Sequence, residues 1–297
     1  MNADVRGHAM PQITLPQGTV HYQDTGEGEP LVLLHGYLMG GGLWEPLVDR
    51  LAPGLRCVVP DLPFGCHSEA LAPDADLSLP GVARLVADLI EGLGLRRVTL
   101  VGNDLGTAVA QLVAADHPEH IGRLVLTSGE SFDNCPAPVF RPLVPAARVP
   151  GLLPLAFQSL RLRAPRGLPF AYGPLTRRAL PHDLIDTWIR AYFADRGVRR
   201  DCAKVTRGLG PVVLTDAAER LAAFGAPALV AFAREDRIFP FRYGVRLAAT
   251  LPDARLESIP DSRTWIMRDQ PELLAGLIRE FIATAPLGTA PGGGFPL

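Results

Sequence analysis

The sequence predicts an α/β fold with a mostly parallel central sheet, flanking helices and a helical cap. Three observations predict it. Short apolar runs rich in β-branched residues alternate with longer amphipathic segments, and these runs are apolar on both faces, as strands of a helix-covered parallel sheet are. The alternation then stops after Gly129 and resumes near residue 216. With 297 residues, 47% of them hydrophobic, the chain is long enough to bury a substantial core.

Each expected element has its own sequence signal. A β-rich stretch, "ITLPQGTVHYQDTG" at 13–26, opens the fold. The strands that follow are "LVLLHG", "RCVVPD", "RVTLVGN", "RLVLTSG", "PALVAFA" and "RLESIP". Helical spacing of apolar residues marks 43–52, 79–94, 105–116, 241–252 and 265–283.

The chain divides into four expected segments. Residues 1–130 and 216–285 form the two parts of the core, and residues 131–215 between them are rich in proline and arginine and lack a clear buried strand. Such an insertion between two strands of a sheet predicts a helical cap. Residues 286–297, which include "LGTAPGGGFPL", have the composition of a disordered tail.

The charge distribution and the cysteine content limit the expected classes of partner and the expected cellular location. The formal net charge is −2 with both signs interspersed, so neither nucleic acid nor a membrane is an expected partner, whereas a small molecule is. Four separated cysteines without a CxxC pair, an N-terminus without a signal-peptide core and no membrane-length apolar run predict a cytoplasmic protein with reduced thiols. Because the sequence contains no Cys/His cluster, no metal or cofactor is expected. A homodimer and other oligomeric states stay open.

The segment "VGNDLG" at 101–106 carries the strongest chemical signal. A strand running through G-x-D-x-G into a helix is the pattern of a nucleophile elbow, in which the central side chain stands at the carboxyl end of the sheet. Gly102 and Gly106 leave room for the sharp turn and for close helix packing. The central residue is Asp104. Its alternative role is that of a helix N-cap.

Together with "LVLLHG", "VVPDLPFG" and "FAREDRIFP", which occur in the expected order, this elbow resembles the α/β-hydrolase superfamily over nearly the whole chain. An aspartate at the elbow resembles the epoxide hydrolase and haloalkane dehalogenase branch, where a carboxylate attacks carbon to give an alkyl-enzyme ester. The resemblance implies an oxyanion hole formed by the backbone N–H groups of Tyr37 and Leu105. It makes Asp236 the triad acid and Glu130 the alternative acid. Either carboxylate has a capping or salt-bridge role as its alternative.

The sequence departs from this family where the catalytic histidine belongs. In "IPDSRTWIMRDQPE" the family's Gly-His-Phe corresponds to Arg263, Thr264 and Trp265, so Thr264 takes the place of the base that cleaves the ester. Without that base the family mechanism predicts an ester that persists. His67 and His182 are the candidates for a displaced base. Arg263 either pairs with Asp104 or Asp236 or forms a salt bridge that fills the vacated space.

Other departures bear on the substrate. Leu105 and Tyr37 stand where dehalogenases of this branch have halide-binding side chains, so a halide is poorly stabilised. Tyr172 and Tyr192 lie in the predicted cap, where epoxide hydrolases have proton-donating tyrosines, although cap aromatics also serve as packing. Trp265, next to Thr264, is a further candidate for the substrate pocket. The expected function is hydrolysis of a small, largely apolar molecule, epoxide-hydrolase-like, with Asp104 as nucleophile or general acid/base. The alternatives are cyclisation or elimination on the same fold, and ligand binding without catalysis.

Overall fold

Eight strands form one sheet in the computed structural model, which describes residues 10–168, 171–285 and 287. Their order is β1-β2-β4-β3-β5-β6-β7-β8, and only the pairings of β2 with β1 and with β4 are antiparallel. The predicted α/β fold with a mostly parallel sheet is thereby confirmed. The strands are Gln12–Leu15 (β1), Gly18–Thr25 (β2), Glu29–Leu34 (β3), Leu55–Pro60 (β4), Val98–Asp104 (β5), Ile121–Gly129 (β6), Ala228–Ala233 (β7) and Ala254–Ile259 (β8).

Eleven α-helices connect or cover these strands within the described residues. They are Glu45–Leu51 (α1), Leu79–Gly92 (α2), Leu105–Asp116 (α3), Leu143–Ala146 (α4), Leu152–Phe157 (α5), His182–Ala194 (α6), Arg196–Gly208 (α7), Pro211–Leu221 (α8), Phe241–Thr250 (α9), Ile266–Asp269 (α10) and Pro271–Thr284 (α11).

The helix expected over 265–283 is divided into α10 and α11. Gln270, between them, has φ −136° and ψ 56°, and Pro271 follows. The residue before a proline is pushed out of the helical region, while proline is well suited to the first position of a new helix. The apolar periodicity runs through both helices and therefore did not reveal the break.

Between β6 and β7 the described chain is helical and contains no strand. The short helices α4 and α5 come first, followed by the longer α6 and α7. Helix α8 crosses the predicted boundary at 215 and packs against α3 of the core. The predicted tail, 286–297, lies outside the described residues apart from Leu287.

The centre of the sheet positions the functional residues. All residues of β5 and β6 are buried, and their carboxyl ends lie side by side, with Asp104 paired to Gly129. Neighbouring parallel strands end at the same edge, so the segments that follow β3, β5, β6 and β7 converge there.

Candidate active site

Asp104 stands on a strained turn. It is the last residue of β5 and immediately precedes α3, with φ 57° and ψ −124°, in a region that residues other than glycine seldom adopt. A Cβ at Gly102 would overlap the backbone of Gly106, and one at Gly106 would overlap the Leu34 carbonyl. These glycines therefore allow the close approach of strand and helix that presents the carboxylate.

Two backbone amides bind one oxygen of this carboxylate. Oδ1 of Asp104 accepts hydrogen bonds from the N–H of Tyr37, at 3.0 Å, and from that of Leu105, at 2.7 Å. The hydrogen bond from Leu105 caps the N-terminus of α3. The hydrogen bond from Tyr37 comes from a distant loop, so helix capping does not explain it. The two amides expected to form an oxyanion hole thus converge on Oδ1. Oδ2 is the oxygen left available to a molecule bound beside Asp104.

Burial governs the protonation of Asp104. The residue is 5% exposed, and desolvation raises the pKa of its carboxyl to about 6 against the opposing effect of the Tyr37 and Leu105 amides. The negative charge of Asp236 adds a smaller upward contribution. The carboxylate is consequently ionised at neutral pH, with a basicity well above that of a solvated aspartate.

Asp236 and Thr264 form a second buried unit next to the elbow. Oδ1 of Asp236 accepts hydrogen bonds from the N–H groups of Ile238 and Phe239, and its Oδ2 accepts one from the Thr264 hydroxyl at 2.8 Å. Desolvation raises the pKa of Asp236 to about 6. Thr264, which is fully buried, therefore meets the carboxylate that the resemblance pairs with histidine.

Replacing Thr264 with valine is expected to lower the free energy of unfolding by about 1–3 kcal/mol at pH 8, because the shape is kept while a buried carboxylate loses its hydroxyl donor. The loss should shrink at pH 4, below the pKa of Asp236, where that group is protonated in the folded protein. Urea denaturation at both pH values measures it. Thr215→Val, at an exposed site of α8, is the matched control. An equal loss at both pH values would contradict the assigned bond.

Glu130 is the other carboxyl group at this edge. It directly follows β6, lies 4% exposed and accepts one hydrogen bond, from the Ala137 N–H to Oε1 at 3.2 Å. Its Oε2 is buried and has no hydrogen-bond partner among the described residues. Desolvation first and the charge of Asp104 second raise the pKa of Glu130 well above its ordinary value. Burial and the neighbouring charge therefore favour the protonated form of Glu130, whereas two amides stabilise the charge of Asp104.

Both carboxyl groups line a cavity of about 330 Å³ between the sheet and the helices that follow β6. The wall is mostly apolar, and none of its described residues carries a positive charge. The lining residues are Tyr37, Leu38, Met39, Asp104, Leu105, Glu130, Pro136, Val139, Phe140, Pro142, Leu143, Ala156, Phe157, Ser159, Leu160, Ala171, Tyr172, Leu175, Thr206 and Leu209.

The aromatic residues expected at the pocket separate in the structure. Tyr172 lines the cavity, but its hydroxyl donates to the Leu38 carbonyl at 2.7 Å. Tyr192 and Trp265 lie outside the described lining, and Tyr192 has the packing role that was the alternative for it. Tyr192 packs edge-on against Phe157, whereas Trp265 packs against Tyr172. Both rings are fully buried, and the Tyr192 hydroxyl and the Trp265 Nε1–H have no hydrogen-bond partner among the described residues.

Arg263 forms no ion pair with Asp104, Asp236 or any other carboxylate of the described residues, which contradicts both expectations for it. Its Nη1 donates to the carbonyl oxygens of Gly173 and Thr176, at 3.1 and 3.2 Å. The guanidinium thereby fastens the cap segment to the loop after β8. The guanidinium donates to backbone carbonyls, and no sequence pattern predicts such partners.

The two candidate replacement histidines also lie elsewhere. His67 is buried, with Nε2 3.4 Å from Oδ2 of Asp201, a carboxylate that also accepts the Leu71 N–H. His182 is the exposed first residue of α6. Neither lines the cavity, and the described lining contains no histidine. The structure gives no support to a displaced histidine base.

Sequence reasoning missed the contact between Tyr37 and the cap. The Tyr37 hydroxyl lies 2.5 Å from Oγ1 of Thr206, and the Cys202 thiol donates to it at 3.0 Å. Both partners belong to α7, so this tyrosine joins the loop after β3 to the cap. Among the described residues, no group of three or more His, Cys, Asp or Glu side chains is arranged to hold a metal ion.

Comparison with known proteins places this geometry in a family. The chain matches the alpha/beta hydrolase fold family over residues 29–271. It is 28% identical over 272 residues to a 2-hydroxy-6-oxo-6-phenylhexa-2,4-dienoate hydrolase of Burkholderia cepacia, covering 89% of this chain and 91% of that protein. It is 30% identical over 276 residues to a 2-hydroxy-6-oxononadienedioate/2-hydroxy-6-oxononatrienedioate hydrolase of Burkholderia vietnamiensis (strain G4 / LMG 22486), covering 89% and 90%.

Solved structures agree on the fold. A haloalkane dehalogenase from Bradyrhizobium elkani USDA94 superposes with a TM-score of 0.74 at 23% identity, over 93% of this chain and 99% of that one. At this identity the likeness concerns the fold alone. The family match and the curated hydrolases together establish that the chain belongs to the alpha/beta hydrolase fold family.

Proposed function

We propose that this protein hydrolyses an epoxide of a small, largely apolar molecule, with Asp104 as general base and Glu130 as general acid. One observation carries the proposal: two carboxyl groups line the same apolar cavity, and two amides stabilise the charge of Asp104 whereas Oε2 of Glu130 is buried without a described partner, which favours its protonated form. Groups whose pKa values are pushed apart in this way divide the work of a base and an acid.

The proposed reaction balances within these two groups. Asp104 takes a proton from a water molecule as the water oxygen attacks an epoxide carbon. The C–O bond of the three-membered ring breaks, and the departing oxygen receives the proton of Glu130. The product is a diol, and transfer of the proton from Asp104 to Glu130 restores the starting state. No ester forms, so the step that would need the family's histidine does not arise.

A covalent route is the second candidate because Oδ1 is already held by two amides. Attack by Oδ2 on carbon would give an ester whose carbonyl oxygen lies in the oxyanion hole. With Thr264 in the histidine position, that ester would accumulate. Intact-protein mass spectrometry during incubation with epoxides separates the routes. The direct route predicts turnover without an adduct, whereas a persistent mass increase on Asp104 would replace it with the covalent route.

The charge of the cavity argues for a neutral substrate. The curated relatives are named for the hydrolysis of dienoates, which are anions. In this chain the described lining offers two carboxyl groups and no cation to compensate a bound carboxylate. We therefore infer that an uncharged apolar epoxide binds better than a dienoate. Turnover of a dienoate alone would reassign the substrate class, and binding without any turnover would favour a ligand-binding protein.

Replacing Glu130 with glutamine is expected to lower kcat for epoxide opening by about 10²–10³-fold, because the amide keeps the contact with Ala137 but cannot give up a proton. KM should change little. In the wild type, activity should fall as the pH rises through the elevated pKa of Glu130, and this descending limb should vanish in the variant. Glu219→Gln, at an exposed site of α8, is the control. An unchanged kcat in E130Q would remove Glu130 from the mechanism.

A further inference from the structure

The outer face of the cap, residues 139–163, exposes an unusual amount of apolar surface. Leu155 is 67% exposed and Leu162 is 64% exposed, so the described part of the chain leaves most of both side chains uncovered. The other large apolar side chains exposed on this outer cap face are Val139, Val149 and Leu152. Helix α4 packs against α5, and α5 packs against the 3-10 turn Gln158–Arg161, so the segments that carry or adjoin these side chains are neighbours in space.

The same part of the chain is strongly basic. From Asn134 to His182 the sequence contains seven arginines and no aspartate or glutamate, although Arg166 and Arg177 form ion pairs with Asp186 and Glu235 from outside this stretch. Arg148 and Arg161 are exposed and form no ion pair with a described carboxylate, and Arg163 has only a 3.7 Å contact with the exposed Asp183. The balanced charge of the whole chain, which predicted no membrane partner, conceals this local excess.

The cavity opens on this face. Val139, Pro142 and Ala156 line the cavity and are also exposed, while Phe140 and Leu143 line it and are partly exposed. The residues around the opening are therefore continuous with the apolar and basic surface. A molecule that enters the cavity from this side passes first over the outer cap face.

We infer that the outer cap face docks on an anionic lipid surface, with its leucines and valines among the acyl chains and its arginines at the phosphate groups. Exposed apolar side chains next to arginines are what an interfacial membrane contact requires. A second copy of the chain fits less well, because an isologous contact would set the arginines of the two copies against each other. No helix of the described chain is long and apolar enough to span a bilayer, so the contact is peripheral.

Docking would bring the cavity mouth against a phase in which apolar molecules collect. Only this role in substrate delivery rests on the proposed function; the lipid contact itself involves neither Asp104 nor Glu130. Asp104→Asn should therefore bind lipid like the wild type. A failure of the lipid-binding inference is therefore distinguishable from a failure of the proposed epoxide hydrolysis.

Flotation of the full chain with phosphatidylcholine vesicles, with and without phosphatidylglycerol, tests this inference at low salt. We expect binding only when phosphatidylglycerol is present. Leu155→Glu/Leu162→Glu should reduce the bound fraction at least about tenfold. Arg148→Glu/Arg161→Glu should reduce it at least as strongly, since each arginine near an anionic surface contributes roughly fivefold. Leu273→Glu, at a site 40% exposed on α11, should bind as the wild type does.

Three outcomes would overturn the inference. The first is no flotation with phosphatidylglycerol vesicles, and the second is equal binding by the wild type and the leucine variant. The third is a dimer in sedimentation velocity that Leu155→Glu dissociates, which would assign the face to a second copy. Normal circular dichroism of each variant ensures that a loss of binding reports on the surface.

Discussion

Asp104→Asn should abolish epoxide opening, with kcat/KM at least about 10³-fold below that of the wild type, because the amide cannot accept the proton of water. Its oxygen can still accept the hydrogen bonds from Tyr37 and Leu105, so the elbow should keep its geometry. In the wild type, activity should rise as the pH passes through about 6, where Asp104 ionises. Residual activity above one tenth of the wild-type value would exclude Asp104 as the base.

The same substitution should stabilise the fold at pH 8. Burial raises the folded-state pKa of Asp104 from 3.8 to about 6, so the ionised group costs on the order of 3 kcal/mol above pH 6. This cost declines as the pH falls from 6 towards 3.8 and is absent below that range. Denaturant unfolding of wild type and variant at pH 8 and below pH 4 measures the difference. A variant less stable than the wild type at pH 8 would contradict the assigned burial cost.

Gly106→Ala should have the largest effect on stability, a loss of at least about 3 kcal/mol, because the added methyl group would overlap the carbonyls of Leu34 and His35. Relief requires α3 to move away from β3, which would also shift Asp104. We therefore expect activity to fall even in the fraction that folds. Thermal unfolding together with turnover measures both consequences.

Gly276→Ala is the matched control for this prediction. Gly276 lies inside α11, and a Cβ there meets no atom within 4 Å, so alanine should stabilise the helix by up to about 1 kcal/mol. If the two variants lose stability equally, the close packing assigned to the elbow is wrong. Opposite signs would show that packing, and not helix propensity, selects glycine at position 106.

The two predicted carboxylates illustrate how far sequence reasoning reached. The resemblance makes Asp236 the triad acid and Glu130 the alternative acid, and both residues lie after strands of the central sheet. Their environments differ: Asp236 is satisfied by two amides and the Thr264 hydroxyl, whereas one oxygen of Glu130 is buried without a partner. Of these two residues only Glu130 lines the cavity, so only Glu130 can contact a molecule bound there.

Arg263 and His67 show why the remaining site could not be read from sequence. Both were considered near the reacting group because of their neighbours in the chain. Their side chains instead satisfy cap carbonyls and a buried aspartate, partners that come from segments about 90 and 134 residues away. Long side chains take the hydrogen bonds that packing offers, and packing is a property of the whole chain.

By itself, the sequence determined the α/β fold, the positions of its principal strands along the chain and the aspartate at the elbow, because apolar periodicity and glycine spacing are local patterns with local physical causes. The resemblance also led to the expectation that Thr264 stands where the family has histidine. The tertiary structure alone decided which carboxyl groups share a cavity and in which of them the surroundings favour the ionised form. Burial and hydrogen bonding set a pKa, and both depend on residues that only folding brings together.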